Sequence, residues 1–259
     1  MAKEVQKVET QLPVEQDEYL ALMDQYAERG ISFRPEDQLL PLIYILQSGS
    51  PIVEKRSESY IPGAEPGHFW LRNAIQPIRS GEEGISAIPV DMKETWVEWL
   101  PNRGGFVARH EAPPIDMMTK MIRGDDGRER SALVRRDSGN IISDTRELYI
   151  IVDGDPYVLP CTSTKHTFAR QWQTMWHRFK HPKTGRIMPA FSRKYKLTTI
   201  PASNAIGKWF AIKFQDVGET TIPEIKLGIS FSDALMTGAK KPEAPVSMAE
   251  GSKGEDIPF

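Results

Sequence analysis

Basic side chains and aromatic rings are concentrated in one stretch of the sequence, residues 161–215. This stretch holds 7 Lys, 4 Arg and 3 of the chain's 5 His but no Asp or Glu, so its formal charge is +11. Nine aromatic side chains are interleaved with these charges: Phe168, Trp172, Trp176, Phe179, Phe191, Tyr195, Trp209, Phe210 and Phe214. Closely spaced cations attract a polyanion, and flat rings offer faces on which unpaired bases stack. The pattern predicts binding to nucleic acid, and to single strands in particular.

The candidate contacts come from two predicted β segments and from a helix that precedes them. Over residues 208–214, strand alternation places Trp209 and Lys213 on one face and Phe210, Ile212 and Phe214 on the other. Over 187–197 either face could be exposed to solvent, because each carries cations. The candidate nucleic-acid-binding residues are Lys165, Arg170, Arg178, Lys180, Arg193, Lys194, Tyr195, Lys196, Lys208, Trp209 and Lys213.

The helix is predicted over residues 162–179, with Thr162 or Ser163 as its N-cap. Its aromatic stripe has two interpretations. The rings of Trp172 and Trp176 could meet bases, but an apolar stripe at helical spacing usually packs into a core. We therefore expect the rings to be buried, and the helix to offer only its cations to phosphates.

Residues suited to catalysis or metal binding are sparse. The sequence Lys183-Thr184-Gly185 lacks the upstream glycines of a phosphate-binding loop, and Cys161 is the only cysteine. His177 and His181 have a spacing that can hold a metal, but no carboxylate accompanies them in the basic stretch. Asp125-Asp126 and the pair Asp144 and Glu147 fit ordinary surface charge better than a nuclease site. We expect a binding protein that is not an enzyme and that uses no metal and no other cofactor.

The surrounding elements are predicted to be mainly β. A helix is expected between Val14 and Arg29, where apolar residues recur at helical spacing. Strands are predicted at Leu42–Gln47, Gly84–Asp91, Thr95–Leu100, Phe106–His110, Glu147–Val152 and Tyr157–Leu159, with a hairpin turn at Asp153-Gly154. Residues 111–130 are interpreted as a loop, with one helical turn at 115–122.

The predicted fold class is mainly β with a few helices, arranged as an OB-like, partly open β-barrel. Three regions follow from the composition. Residues 1–35 form an N-terminal extension with a short helix, and residues 36–232 form the nucleic-acid-binding domain. Residues 233–259, rich in Ala, Gly, Lys, Pro and Ser, form a disordered tail.

The last residues resemble the C-terminal tip of bacterial single-stranded DNA-binding proteins. The tip is Glu255, Asp256, Ile257, Pro258 and Phe259, with Glu255 where that family usually has a further Asp. The resemblance implies that the tip docks replication and repair enzymes, because an apolar plug with neighbouring carboxylates fits a pocket rimmed by basic residues. The tail is less acidic than that family usually shows, with 4 acidic and 3 basic residues over 238–259.

The body is longer than the bacterial protein and is more similar to the single-stranded DNA-binding proteins of tailed bacteriophages. The stretches that carry this resemblance are Leu42 to Pro51, Ile88 to Pro101 and Thr162 to Trp172. It implies an OB-like barrel joined to an acidic tail that ends in Phe.

These observations together predict a sequence-tolerant single-stranded DNA-binding protein of phage-type replication or recombination, which recruits partner enzymes through its tip. A virion structural or assembly protein and a strand-annealing protein are the alternatives, and RNA is an alternative ligand. No run of about 18 apolar residues and no secretory leader is present, so we expect no membrane association and a location in the cytoplasm, that of the host if the protein is viral. The sequence leaves open whether copies associate into a homo-oligomer.

Overall fold

The computed structural model describes residues 39–101, 105–123, 129–204 and 207–246. The predicted N-terminal extension, residues 1–35, and the tip, residues 255–259, lie outside the described residues.

Thirteen strands and two helices form the described part of the chain. The strands are β1 (Leu39–Leu40), β2 (Ile43–Ile45), β3 (Phe69–Leu71), β4 (Ile78–Arg79), β5 (Ile85–Trp99), β6 (Phe106–His110), β7 (Met117–Arg123), β8 (Glu129–Arg135), β9 (Ile141–Val152), β10 (Asp155–Thr162), β11 (Arg193–Ser203), β12 (Lys208–Glu219) and β13 (Lys241–Pro242). The helices are α1 (Lys165–Trp176) and α2 (Ile222–Met236).

Eight strands form the main sheet, in the order β12-β11-β5-β9-β8-β7, with β10 also paired to β9 and β6 to β5. A three-stranded sheet, β2-β3-β4, adjoins it where Leu42 makes a parallel bridge to Val158 of β10. The sheets are not closed into a barrel. The predicted class, mainly β with a few helices, is confirmed.

The two faces of the main sheet are covered by different helices. On one face, α1 buries Phe168, Trp172 and Trp176 in a core that includes Tyr195 and Leu197 of β11. On the other face, α2 packs Phe231 and Leu235 against Ile88 and Tyr149. The prediction that the aromatic stripe of α1 is core is confirmed, and its N-cap is Thr164 rather than Thr162 or Ser163.

Several strand predictions hold and one segment differs. The hairpin turn at Asp153-Gly154 is present, with φ angles of 53° and 90°, the positive values that a type I′ turn needs. The two strands predicted between Gly84 and Leu100 are one continuous strand, β5, with a bulge between Pro89 and Asp91. The loop predicted over 111–130 is wrong, because β7 and β8 form a hairpin there. None of the seven residues of β7 is buried, and Met118 to Met121 are all exposed, so the segment lacks the alternation of buried and exposed side chains that would mark a strand in the sequence.

The chain is ordered well past the predicted start of the tail at residue 233. Helix α2 continues to Met236, and β13 then pairs in parallel with β1. The carboxylate of Glu243 accepts a hydrogen bond from the backbone N–H of Leu42 at 3.0 Å and pairs with Arg72 at 2.9 Å. Residues 239–246, which we call the C-terminal strap, therefore belong to the body of the protein.

Candidate nucleic-acid interface

A pocket of about 160 Å³ lies where β2, β5, β12, the start of α1 and the C-terminal strap meet. Four aromatic residues and two basic residues are among those that line it. The aromatic lining residues are Tyr44, Trp99, Trp209 and Phe210, and the cationic ones are Arg109 and Lys165. The pocket thus brings together Trp209 and Lys165, two of the residues that the sequence predicted, from opposite ends of the basic stretch.

Lys165 is the first residue of α1 and makes no ion pair within the described part of the chain. Its burial lowers the pKa of the ammonium group, because desolvation disfavours the charged form. No acidic residue occupies the first turn of α1, and Thr164 makes no side-chain capping hydrogen bond. The positive end of the helix dipole and the ammonium group of Lys165 therefore face the same pocket, and an anionic ligand bound there would favour the charged form of Lys165 over the neutral one.

The floor of the pocket contains one buried ion pair. The Nε of Arg109 lies 2.7 Å from Oε1 of Glu147, and the hydroxyl of Tyr149 donates to the other carboxylate oxygen at 3.2 Å. Burial raises the pKa of Glu147, and the charge of Arg109 opposes this shift. Since Arg109 neutralises Glu147, Lys165 is the uncompensated charge of the pocket.

Arg109 also fixes the C-terminal strap at the pocket. Its guanidinium donates to the carbonyl oxygens of Pro242 at 3.1 Å and Glu243 at 3.2 Å. Farther along, the backbone N–H of Val246 donates to the hydroxyl of Tyr44 at 3.0 Å. Pro245 and Val246, the last two described residues, therefore line the pocket.

A second group of predicted residues lies on the outer face of the β11–β12 hairpin. Lys196 is paired with Gln215 and Thr198 with Lys213, so the two lysines are diagonal neighbours on one face. Both are exposed, and neither makes an ion pair with a described residue. Lys208, also exposed, is the first residue of β12, but strand alternation places it on the opposite face from Trp209 and Lys213. Lys196 and Lys213 are therefore the two predicted lysines that can meet phosphates on the outer face.

Three predicted residues have structural roles instead. Arg193 makes a two-pronged ion pair with Asp216, at 2.8 Å to each carboxylate oxygen, and its guanidinium lies 4.5 Å from the ring centre of Phe179. Lys194 pairs with Glu224 of α2. Tyr195 is fully buried, so its ring packs against Trp172 and cannot stack on a base in this structure. Strand alternation alone could not tell which face of β11 the core would cover.

Arg170, Arg178 and Lys180 lie on and just after α1 and are exposed. Because α1 covers the core face of the hairpin, these cations lie on the opposite side of the sheet from Lys196 and Lys213. The structure therefore divides the basic stretch between two surfaces rather than gathering it into one.

The candidate contacts predicted from the sequence do not include Tyr44, Arg109 or Trp99. Two acidic residues, Glu94 and Glu98, lie close to Trp99 in the sequence, and both carboxylates are neutralised in the structure. Glu94 pairs with Arg146 at 2.7 Å, and Glu98 is bound by Arg135 and His110. Trp99 is therefore available to the pocket. No local sequence signal marks Tyr44 or Arg109, since strand pairing far along the chain brings them there.

A model of the Pam3 phage gp34-like protein family matches residues 15–241, which include nearly all of the described fold. The chain belongs to this family of phage proteins. The comparison with curated proteins found no match, and neither did the comparison with solved structures. Within the described ranges, no helix is long and apolar enough to cross a membrane.

Proposed function

We propose that this phage protein binds single-stranded DNA without strong sequence preference and performs no chemistry on it. The observation that carries the proposal is the pocket, which is lined by the partly exposed rings of Trp99 and Trp209 and by Lys165 at the start of α1. A base can stack on one of these rings while a neighbouring phosphate meets the ammonium group of Lys165. In a duplex the faces of the bases are already stacked on each other, so the pocket favours unpaired strands.

The outer face of the β11–β12 hairpin extends this site. Trp209 links the pocket to Lys196 and Lys213, because strand alternation places all three side chains on the same face of the hairpin. Contacts to phosphates and to base faces carry little sequence information, so binding through them tolerates any sequence. The proposed site consists of the pocket and these lysines, without Arg193, Lys194 and Tyr195.

The proposal is tested by titrating the intrinsic tryptophan fluorescence with oligo-dT and with a duplex of equal length, at two salt concentrations. We expect the single strand to bind more tightly, and log Kd to change with log salt by about 0.7 for each phosphate neutralised. Equal affinities for the duplex and for the single strand would instead favour the alternative, a virion structural protein that contacts the packaged genome. A dissociation constant that does not change with salt concentration would contradict binding through cations.

We further propose that the tip, Glu255 to Phe259, recruits replication or repair enzymes and competes with DNA for the basic site. The strap supports this, because Val246, its last residue, lines the pocket, and a peptide tethered to that residue has a raised local concentration near the site. Removing residues 254–259 should tighten binding to oligo-dT and abolish recruitment. A matched variant, Glu255→Gln with Asp256→Asn, keeps Phe259 and separates charge from the apolar plug. If the deletion changes neither property, the tip has no such role.

A further inference from the structure

The outer side of α2 carries a row of exposed apolar residues. Ile222, Ile229 and Met236 are 72%, 47% and 77% exposed. They are seven residues apart, which is close to two helical turns, so they lie along one line on the helix surface. The opposite side of α2, with Phe231 and Leu235, packs on the sheet. Isolated exposed apolar residues are ordinary, but an aligned row on one helix marks a contact surface.

Two opposite charges lie beside this row and have no partner. Lys226 follows Ile222 by four residues, and Asp233 follows Ile229 by four. Both are exposed, and neither forms an ion pair within the described part of the chain. The row and its two charges, Ile222, Lys226, Ile229, Asp233 and Met236, are called the α2 stripe below.

The arrangement of the α2 stripe is self-complementary. When two copies of α2 lie antiparallel about a twofold axis between residues 229 and 230, Lys226 of each copy meets Asp233 of the other. The same alignment places Ile222 next to Met236 of the second copy and the two Ile229 side chains next to each other. A parallel alignment would instead oppose like charges, so the charges select the antiparallel one.

We propose that the protein forms a homodimer through antiparallel contact of the α2 stripe of each copy. The twofold axis makes the contact isologous, so it closes at two copies and does not continue into a filament. One helix face is smaller than the roughly 1,200–2,000 Å² of a standard stable interface, so the dimer dissociates on dilution. The inference does not depend on the proposed function, because the dimer forms without nucleic acid.

Sedimentation velocity of the full chain, without nucleic acid and over a range of protein concentrations, tests the proposal. We expect the sedimentation coefficient to rise from that of a monomer to that of a dimer. Ile229→Glu should weaken association by roughly tenfold or more, since it buries two carboxylates at the centre of the contact. The matched control is Leu227→Glu, an equally exposed residue on the other side of α2, which should leave association unchanged.

Charge reversal then tests the antiparallel register. Lys226→Glu alone and Asp233→Lys alone should each weaken association, because each creates two like-charge contacts. The double variant K226E/D233K restores both ion pairs and should recover the dimer, while circular dichroism confirms that each variant is folded. A wild-type protein that stays monomeric at every concentration would overturn the proposal. A dimer that survives Ile229→Glu, or a double variant no better than the single ones, would also overturn it.

Discussion

The side-chain amide of Gln47 pairs with both backbone groups of Phe210. The N–H of Phe210 donates to Oε1 of Gln47 at 2.8 Å, and Nε2 of Gln47 donates to the carbonyl of Phe210 at 3.4 Å. Strand β12 is the last strand of the main sheet, so this part of its outer edge has no neighbouring strand. The side chain of Gln47 makes the hydrogen bonds that a neighbouring strand would otherwise make. It thereby fixes the edge of β12 and holds Trp209, the residue before Phe210, beside the pocket.

Gln47→Ala should lower the free energy of unfolding by about 1–3 kcal/mol, because it leaves the partly buried backbone groups of Phe210 without partners. Urea unfolding measures the loss. The control is Gln215→Ala on the same hairpin, where the side chain is exposed and makes no hydrogen bond to a described residue. This substitution should change stability by about 0.5 kcal/mol at most. Equal effects of the two substitutions would show that the amide does not hold the edge of β12.

Neutralising a basic residue of the hairpin should affect DNA binding if the residue has no ion-pair partner among the described residues, and should affect stability if it has one. Lys196→Gln and Lys213→Gln should each lower the salt dependence of oligo-dT binding by about 0.7 and leave stability nearly unchanged. Arg193→Gln should mainly destabilise the fold, since it breaks the ion pair with Asp216 and the contact with Phe179. Salt titrations and thermal melts distinguish the two outcomes. If Arg193→Gln alone lowers the salt dependence, the assignment of these roles is reversed.

Glu98 should make the free energy of unfolding depend on pH in the acidic range. Burial alone would raise its pKa, but hydrogen bonds from Asn140, His110 and Arg135 outweigh burial and lower the pKa below its ordinary value. The folded state therefore favours the ionised form, so its stabilising contribution is present above the unfolded pKa of about 4.3 and is lost as pH falls through the folded value.

Urea unfolding of wild-type protein and Glu98→Gln between pH 7 and pH 3 measures this contribution. We expect the wild-type free energy of unfolding to fall more steeply than that of Glu98→Gln below about pH 4.3. Glu82→Gln removes an exposed carboxylate that has no ion pair in the described structure, and it should keep the wild-type slope. Identical slopes for wild type and Glu98→Gln would contradict the assignment.

Tyr195→Phe should leave DNA binding unchanged and should not destabilise the protein. The hydroxyl of Tyr195 is buried and has no hydrogen-bond partner among the described residues, so its removal relieves an unsatisfied polar group. Tyr149→Phe is the contrasting variant, because it removes the hydrogen bond to Glu147 and should cost about 0.5–1.5 kcal/mol. Thermal melts and oligo-dT titrations of both variants provide the test. A loss of affinity in Tyr195→Phe would return this residue to the binding site.

The sequence predicted the mainly β class, the burial of the α1 stripe and the hairpin at Asp153-Gly154, because each depends on local periodicity or turn chemistry. It did not predict the hairpin of β7 and β8, whose exposed methionines and cations conceal the alternation of a strand. The ordered strap was missed for a different reason: its composition is that of a linker, and it is held by distant residues, Arg72 and Arg109.

The candidate site was predicted only in part for a similar reason. Charge and aromatic content identified Trp209, Lys165 and the exposed lysines of the hairpin. Which rings and cations meet at one pocket depends on long-range pairing, so Tyr44 and Arg109 carried no local signal. Burial likewise decided that Tyr195 is core while Lys196 is exposed, although they are adjacent in the chain.

The affinity of Trp209→Ala for oligo-dT, compared with that of the wild-type protein at the same physiological salt concentration, tests the central claim most directly. The account predicts that the wild-type protein binds and that the substitution costs about 1–3 kcal/mol, the usual contribution of one stacked base. Thermal melts of both proteins separate this loss from unfolding. A wild-type protein that does not bind oligo-dT, or a folded Trp209→Ala variant that binds equally well, would contradict the account.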